Sequence, residues 1–394
     1  MQLAERIQVR KTPALCLLCH RAKNLYNLSN FYVRQELFHL GNVLTYFDLD
    51  FMLRKQQAYQ VLPAQTAQQV LRQVAGDWRS YFAACRVYRK DPWKFLGAPR
   101  PPRYKPAGGE SVATFTKQQC QITGGWVRFP RKAELPPVRT RVTAFQQVRV
   151  VPKGSCYVVE VVYNVEPADL KLDRRRALGI DLGVANLITA VNNVGQPPFA
   201  VKGGVAKSVN QFFNKRLARF RSIAARANGM LTTKRISRLS RVRVNKLGDI
   251  FHKTSRAVVD FCVRHDIGTI AIRYNPRWKQ GCRLGRTTNQ NFVGLPFQAL
   301  VRQVQYKAAL VGITTVLVDE RYTSRSSFLD SESVGRHARY AGLRVQRGLF
   351  RSRTGTIINA DVNAAYNILR KAVQEAFADG IAGAGLHPVL LGIA

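Results

Sequence analysis

Acidic residues are scarce in this chain. Its 394 residues hold 23 Asp and Glu against 62 Lys and Arg, a formal charge of +39. A protein so basic repels itself unless a polyanion neutralises it, and phosphate backbones do so with release of counterions. A basic tail would leave the rest of the chain balanced, but here basic residues run from Arg6 to Lys371, between segments that look folded. A nucleic acid with a long footprint is the expected partner. Long apolar runs are missing too. No stretch reaches the roughly 18 apolar residues of a membrane span, so no membrane partner is expected. The start, MQLAERIQVRKTP, is charged where a secretion leader needs an apolar core. The seven cysteines are an odd number for a disulfide framework and point to a reducing cytoplasm.

One cysteine pattern needs separate treatment. Cys16, Cys19 and His20 form C-x-x-C-H, the spacing of covalent haem attachment. They lie inside TPALCLLCHRAKNLYNLSNFYVRQELFHLGN, which reads as one amphipathic helix: Thr12 suits the N-cap, Pro13 the first turn and Gly41 the stop. With Leu15, Leu18, Ala22, Leu25 and Tyr32 at helical spacing, the two cysteines become core residues, and haem is not expected.

Residues 12–92 read as helical. In the segment beginning at Leu62, an apolar stripe of Val70, Leu71, Trp78 and Phe82 is flanked by Gln65, Gln68, Gln69, Arg72, Gln73 and Arg79. Amide and guanidinium groups on a helix can read base edges in a groove; a solvated helix face accounts for them equally well. Residues 96–111, rich in Pro, Gly and positive charge, form a junction. Val-, Thr- and Tyr-rich runs over 112–166 predict a small antiparallel barrel or sheet. From about 172 strands and helices alternate, an initial meander followed by strand–helix units. That outline predicts an α/β, ribonuclease H-like domain in a multidomain chain.

Few acids remain to carry chemistry in the second half. Asp181 sits in LGIDLGVAN, a strand whose apolar flanks bury it, and a buried carboxylate needs a partner such as a metal ion. Asp361 opens an amphipathic helix, where an isolated Asp more often offsets the helix dipole. Two Mg²⁺ ions acting on a phosphodiester require several carboxylates converging from separate elements. A third would be sought at the end of GTIAIRYNP, but that strand ends in Arg273, Tyr274 and Asn275. The next strand ends in Asp319 and Glu320. One strand over is a displacement of about 4.8 Å, part of which the longer Glu recovers. Glu320 is therefore the expected ligand, with Asp319 a neighbour turned elsewhere; a charged strand end meeting a turn is the plainer reading.

With these residues in view, the chain resembles the TnpB family of transposon-encoded RNA-guided DNA endonucleases, relatives of type V CRISPR effectors. The resemblance is most specific in GIDLGVANLITAV, TNQNFVGLPFQALVRQVQYKA, DERYTSRSSFLD and RGLFRSRTGTIINADVNAAYNILRK. It implies a wedge strand at 1–11, a helical recognition region at 12–95 and a wedge β-barrel at 96–171. A RuvC nuclease domain would follow at 172–320, with a lid loop at 274–292 whose Trp278, Lys279 and Gln280 could touch the substrate strand. An insertion at 321–354 would interrupt it before its second part at 355–376, and a tail at 377–394 is expected to lack order. The partners implied are a guide RNA from the transposon end and double-stranded DNA cut beside a short flanking motif. Catalysis would use Mg²⁺ held by Asp181, Glu320 and Asp361, in a monomeric ribonucleoprotein of the prokaryotic cytoplasm, near the nucleoid.

The sequence departs from the family pattern twice. The position after GTIAI, acidic in many members, is not acidic here, and a subset of the family looks to have moved that acid to the place of Glu320. The paired C-x-x-C motifs of a zinc ribbon are also absent: residues 321–360 contain no cysteine, so no structural zinc is expected and the insertion must fold without it or stay flexible. Two other readings remain. An RNA-guided repressor that no longer cuts should have lost at least one acid. An ATPase of the actin and heat-shock type shares GIDLG but needs Gly-type phosphate turns later, whereas Asp361 is followed by Val362 and Asn363.

Overall fold

The computed structural model describes residues 1–229, 232–275, 290, 293–378, 380 and 383–392. The chain divides into two compact units, Met1–Val165 and Glu166–Ala394.

In the first unit, strand β1 (Gln2–Val9) leads into helix α1 (Pro13–Gln35). Thr12 caps α1 by accepting from the Leu15 amide, and Gly41 ends the following π-turn in the left-handed conformation that glycine tolerates. Cys19 is buried, its Sγ 3.9 Å from the Val150 carbonyl, and burial pushes its thiol up to about 12. This is a packing cysteine. Helices α2 (Tyr46–Leu53) and α3 (Gln57–Gln60) precede the long α4 (Ala64–Lys90). Trp78 of α4 is buried and donates to Asn30 of α1 at 2.9 Å, satisfying the indole N–H inside the helical core.

The strands that follow are β2 (Ala113–Thr116), β3 (Gln121–Thr123), β4 (Trp126–Arg128), β5 (Val138–Arg139), β6 (Gln147–Pro152) and β7 (Tyr157–Asn164). They form two antiparallel sheets, ordered β1-β7-β6-β2 and β3-β4-β5, in the region read as a small antiparallel barrel or sheet. Helices α1 and α4 lie against β2 and β6, and one apolar core joins helices and sheets.

The second unit is built on one mixed sheet. Strands β8 (Asp173–Leu182), β9 (Asn186–Asn192) and β10 (Phe199–Lys202) meander antiparallel. Helices α5 (Gly204–Asn228) and α6 (Lys234–Arg264) lead to β11 (Ile267–Tyr274), which lies parallel to β8. Helix α7 (Phe297–Ala309) then leads to β12 (Thr314–Asp319), parallel to β11. A small sheet of β13 (Leu343–Gln346), β14 (Leu349–Arg351) and β15 (Ile357–Asn359) precedes helix α8 (Ala360–Ala372). The sheet order is β12-β11-β8-β9-β10, and β16 (Val389–Leu390) extends its far edge beside β10. The tail is thus ordered in part, against expectation: besides this pairing, the Asn359 amide donates to the Leu386 carbonyl at 2.9 Å. Helices α6 and α7 cover one face of the sheet and α8 the other. Among the described residues no helix is long and apolar enough to cross a membrane.

Candidate active site

From Ala177 to Leu182 the β8 strand is buried on both faces, and its alternation decides which side each residue serves. Leu178, Ile180 and Leu182 pack into the core shared with α6 and α7, while Ala177 packs under α8. Gly179 and Asp181 therefore face α8. A Cβ on Gly179 would stand 2.6 Å from the Ala365 carbonyl and 2.7 Å from Leu369 Cβ, so the absence of a side chain lets α8 lie close. Asp181 is only 6% exposed.

The neighbouring strands bring their ends to the same face. Ile272 pairs with Ile180, and Ile270 and Ile272 belong to the α6/α7 core, so Arg273 rises beside Asp181 on the α8 side. Its Nη1 donates to Asp181 Oδ1 at 2.9 Å and to the Leu182 carbonyl at 3.4 Å. Its Nε donates to Glu320 Oε2 at 2.5 Å, and Nη2 pairs with the same carboxylate. Tyr274 pairs with Asp319, which sets Asn275 beside Glu320; the amide donates to Glu320 Oε1 at 2.7 Å. Val318 packs under α8, so Glu320 returns to that face and Asp319 turns outward. Asp319 accepts from the Arg321 amide at 2.9 Å and closes the turn.

Asp361 arrives from α8. Asn359 is the cap, accepting from the amides of Asp361 at 2.9 Å and Val362 at 3.2 Å. The Asp361 carboxylate is thereby released from the capping role and instead accepts from Asn186 at 3.0 Å.

Burial pushes Asp181 up to about 6 against the pull of Arg273, and the negative charges of Asp361 and Glu320 push the same way. Burial works against a charged Arg273, but Asp181 and Glu320 outweigh it and hold the guanidinium above its usual value. The three acids thus reach one face of the sheet without forming a ready-made cluster. Among the described residues no three His, Cys, Asp or Glu are gathered as metal ligands. Chemically the donors suit Mg²⁺: all are carboxylate oxygens, and a buried carboxylate crowded by two others is relieved by a cation. The cation present between Asp181 and Glu320 is Arg273, a partner that sequence reading missed. No local pattern signals it, because the contact depends on the register of β11 against β8 and β12.

The other residues singled out in the sequence lie elsewhere. On α4, Gln65 bonds to Gln118 at 2.8 Å and also accepts from Thr116, while Gln68 hydrogen-bonds Tyr59. Gln69 and Gln73 are half-buried. Arg72 is exposed and its guanidinium sits 4.3 Å from the Tyr46 ring centroid; Arg79 is exposed. Of the four amides, Gln65 and Gln68 thus bond within their own unit. Trp278, Lys279 and Gln280 lie outside the described residues.

The cysteine-free insertion is clamped by side chains. Glu332 accepts from the amides of Ser327 and Ala341, both at 2.8 Å. From α8, Asn363 accepts from the Phe328 amide at 2.9 Å and donates to the Ser326 carbonyl at 3.0 Å. Asn367 donates to the Thr323 and Ser326 carbonyls at 2.9 and 2.7 Å, and Phe328 stacks on Tyr366 with centroids 4.2 Å apart.

Residues 160–279 match the OrfB_IS605 family, a probable transposase, and residues 297–368 match the TNB domain of Cas12f1-like proteins. These two matches are consistent with a TnpB-like protein. Among its relatives is the CRISPR-associated endodeoxyribonuclease Cas12f1 of Sulfoacidibacillus thermotolerans, 26% identical over 253 residues, which cover 61% of this chain and 56% of that protein. Another is Cas12f2 of Micrarchaeota archaeon (strain CG1_02_47_40), 25% identical over 261 residues, which cover 58% of this chain and 45% of that protein. The chain spans about half the length of the curated relatives it matches. Two solved structures share its mixed α/β, multidomain fold. One is a Cas12f1–sgRNA–target DNA complex, at TM-score 0.53 and 14% identity over 90% of this chain and 81% of that one. The other is the mini RNA-guided endonuclease CRISPR-Cas_phi3, at TM-score 0.52 and 9% identity over 99% and 94%.

Proposed function

We propose that this TnpB-like protein is an RNA-guided endonuclease. It takes a guide RNA from a transposon end and hydrolyses double-stranded DNA at a RuvC-type site of Asp181, Glu320 and Asp361. One observation carries the reading: three carboxylates from separate elements reach one face of a sheet ordered β12-β11-β8-β9-β10, a meander followed by two parallel strands, as in ribonuclease H-like nucleases. The relatives named above support the choice of DNA as substrate, and the charge of +39 supports polynucleotide partners over a single nucleotide.

Two Mg²⁺ ions at such a site would activate the attacking water and stabilise the leaving oxygen of an in-line displacement. Asp181, fixed on β8, would be one of the carboxylates that hold them. Glu320 is held in its rotamer by Asn275, and Asp361 by Asn186. Side chains pinned in this way deliver their oxygens with little reorganisation. The basic helices and the exposed arginines of α4 would follow the phosphate backbones of guide and target.

A second reading, an RNA-guided repressor, is favoured by one observation: Arg273 neutralises Asp181 and Glu320 as a metal would. Sequencing the RNA that copurifies with the protein, then offering the complex matched DNA with Mg²⁺, separates the two. Cleavage lost in Asp181→Ala and Asp361→Ala but present in the parent supports the nuclease. Guided binding without cleavage in the parent supports the repressor.

A further inference from the structure

Asp181 on β8 and Glu320, the residue just past β12, lie on opposite sides of β11, and two strand spacings amount to about 10 Å. Two carboxylates at that spacing share an ion only if both side chains reach inward. Both do so here, and a guanidinium fills the gap. The Arg273 fork spends Nη1 on Asp181 and turns Nε and Nη2 to Glu320, a double engagement that a Lys ammonium, a point charge, cannot reproduce. Asn275 holds the other oxygen of Glu320 independently. The Arg273 side chain keeps 25% of its surface exposed, so it can leave without carrying its charge through the core.

We propose that Arg273 is a positioning residue for metal loading. While no divalent ion is bound, its guanidinium keeps Asp181 and Glu320 drawn together, and it gives way when Mg²⁺ takes both carboxylates. The inference rests on reading those acids as metal ligands. Coulomb's law supplies the direction: at equal distance a dication gains about twice what a monocation does from the same carboxylates. Asn275 then has a distinct task, keeping Glu320 aimed inward during the exchange.

The test uses the full-length protein with Mn²⁺ as the probe, titrated by electron paramagnetic resonance, and thermal melting in chelator or in Mg²⁺. Arg273→Gln should bind Mn²⁺ about tenfold more tightly than the parent, because the competing cation is gone. It should also melt lower in chelator and gain more from Mg²⁺ than the parent does. Arg273→Lys, which keeps the charge but loses the fork, should fall between the two, and it serves as the variant if Arg273→Gln fails to fold without metal. Mn²⁺ affinity unchanged or weakened in both variants would overturn the proposal. Asp181→Asn separates this failure from that of the underlying reading. If it leaves Mn²⁺ binding intact, the acids are not the ligands; if it abolishes binding while the Arg273 variants bind like the parent, only the positioning role fails.

Discussion

Asn275 donates its side-chain amide to Glu320 at 2.7 Å, across the junction where β11 and β12 end side by side. That bond, with the alternation of β12, separates the two adjacent acids: Glu320 is turned to the α8 face and Asp319 to the turn. Asn275→Ala should therefore cost cleavage on the order of 10- to 100-fold, the usual effect of losing a side chain that orients a ligand. RNA-guided DNA binding should stay unchanged. Measuring cleavage and binding side by side on the same complex checks both halves.

Gly179 lies two residues before Asp181, under α8. Gly179→Ala drives a methyl group against the Ala365 carbonyl and Leu369, and α8 must shift. We expect destabilisation of about 1–3 kcal/mol, the range for overpacking a close contact. Cleavage should fall further than stability explains, because Asp361 moves with the helix. Thermal melting and single-turnover cleavage of the variant give the two numbers. Cleavage at the parent rate would show that Asp361 need not be held there.

The sequence disclosed this region unevenly, for reasons visible in single residues. LGIDLG is legible because a carboxylate among apolar neighbours has few roles. That Glu320 and Asp319 face different sides is legible from strand alternation. The Arg273 fork is not, since it depends on the register of β11 against both of its neighbours, which no local pattern encodes. The same holds for the strands from Ala113 to Asn164: the runs announce them, but which edges meet is not written in any one run. The pairing of Val389 and Leu390 with β10 was hidden by a Gly- and Ala-rich composition that resembles an unstructured tail.

The insertion should hold its shape without metal. Zinc chelation is expected to leave hydrogen exchange across residues 326–341 unchanged. Glu332→Ala should accelerate it, because two buried-side amides lose a charged acceptor worth about 1.5–3 kcal/mol each. Faster exchange on chelation alone would mean that a metal, not Glu332, holds the loops.

On α4, arginines and amides should part company. Arg79→Ala is expected to weaken nucleic-acid binding about equally for all sequences and to lower the slope of log affinity against log salt by about 1. Gln65→Ala, which breaks bonds to Gln118 and Thr116 within its own unit, should lower stability and leave sequence preference alone. Salt titrations on two unrelated targets decide between these outcomes.

The relocated acid is best put to proof with the purified complex, its own RNA and a matched duplex in Mg²⁺, comparing the parent with Glu320→Ala and Asp319→Ala. Glu320→Ala should cut more slowly on the order of 100-fold or more while still binding target, and Asp319→Ala should cut at the parent rate. Normal cleavage by Glu320→Ala would contradict the assignment of Glu320 to the metal site.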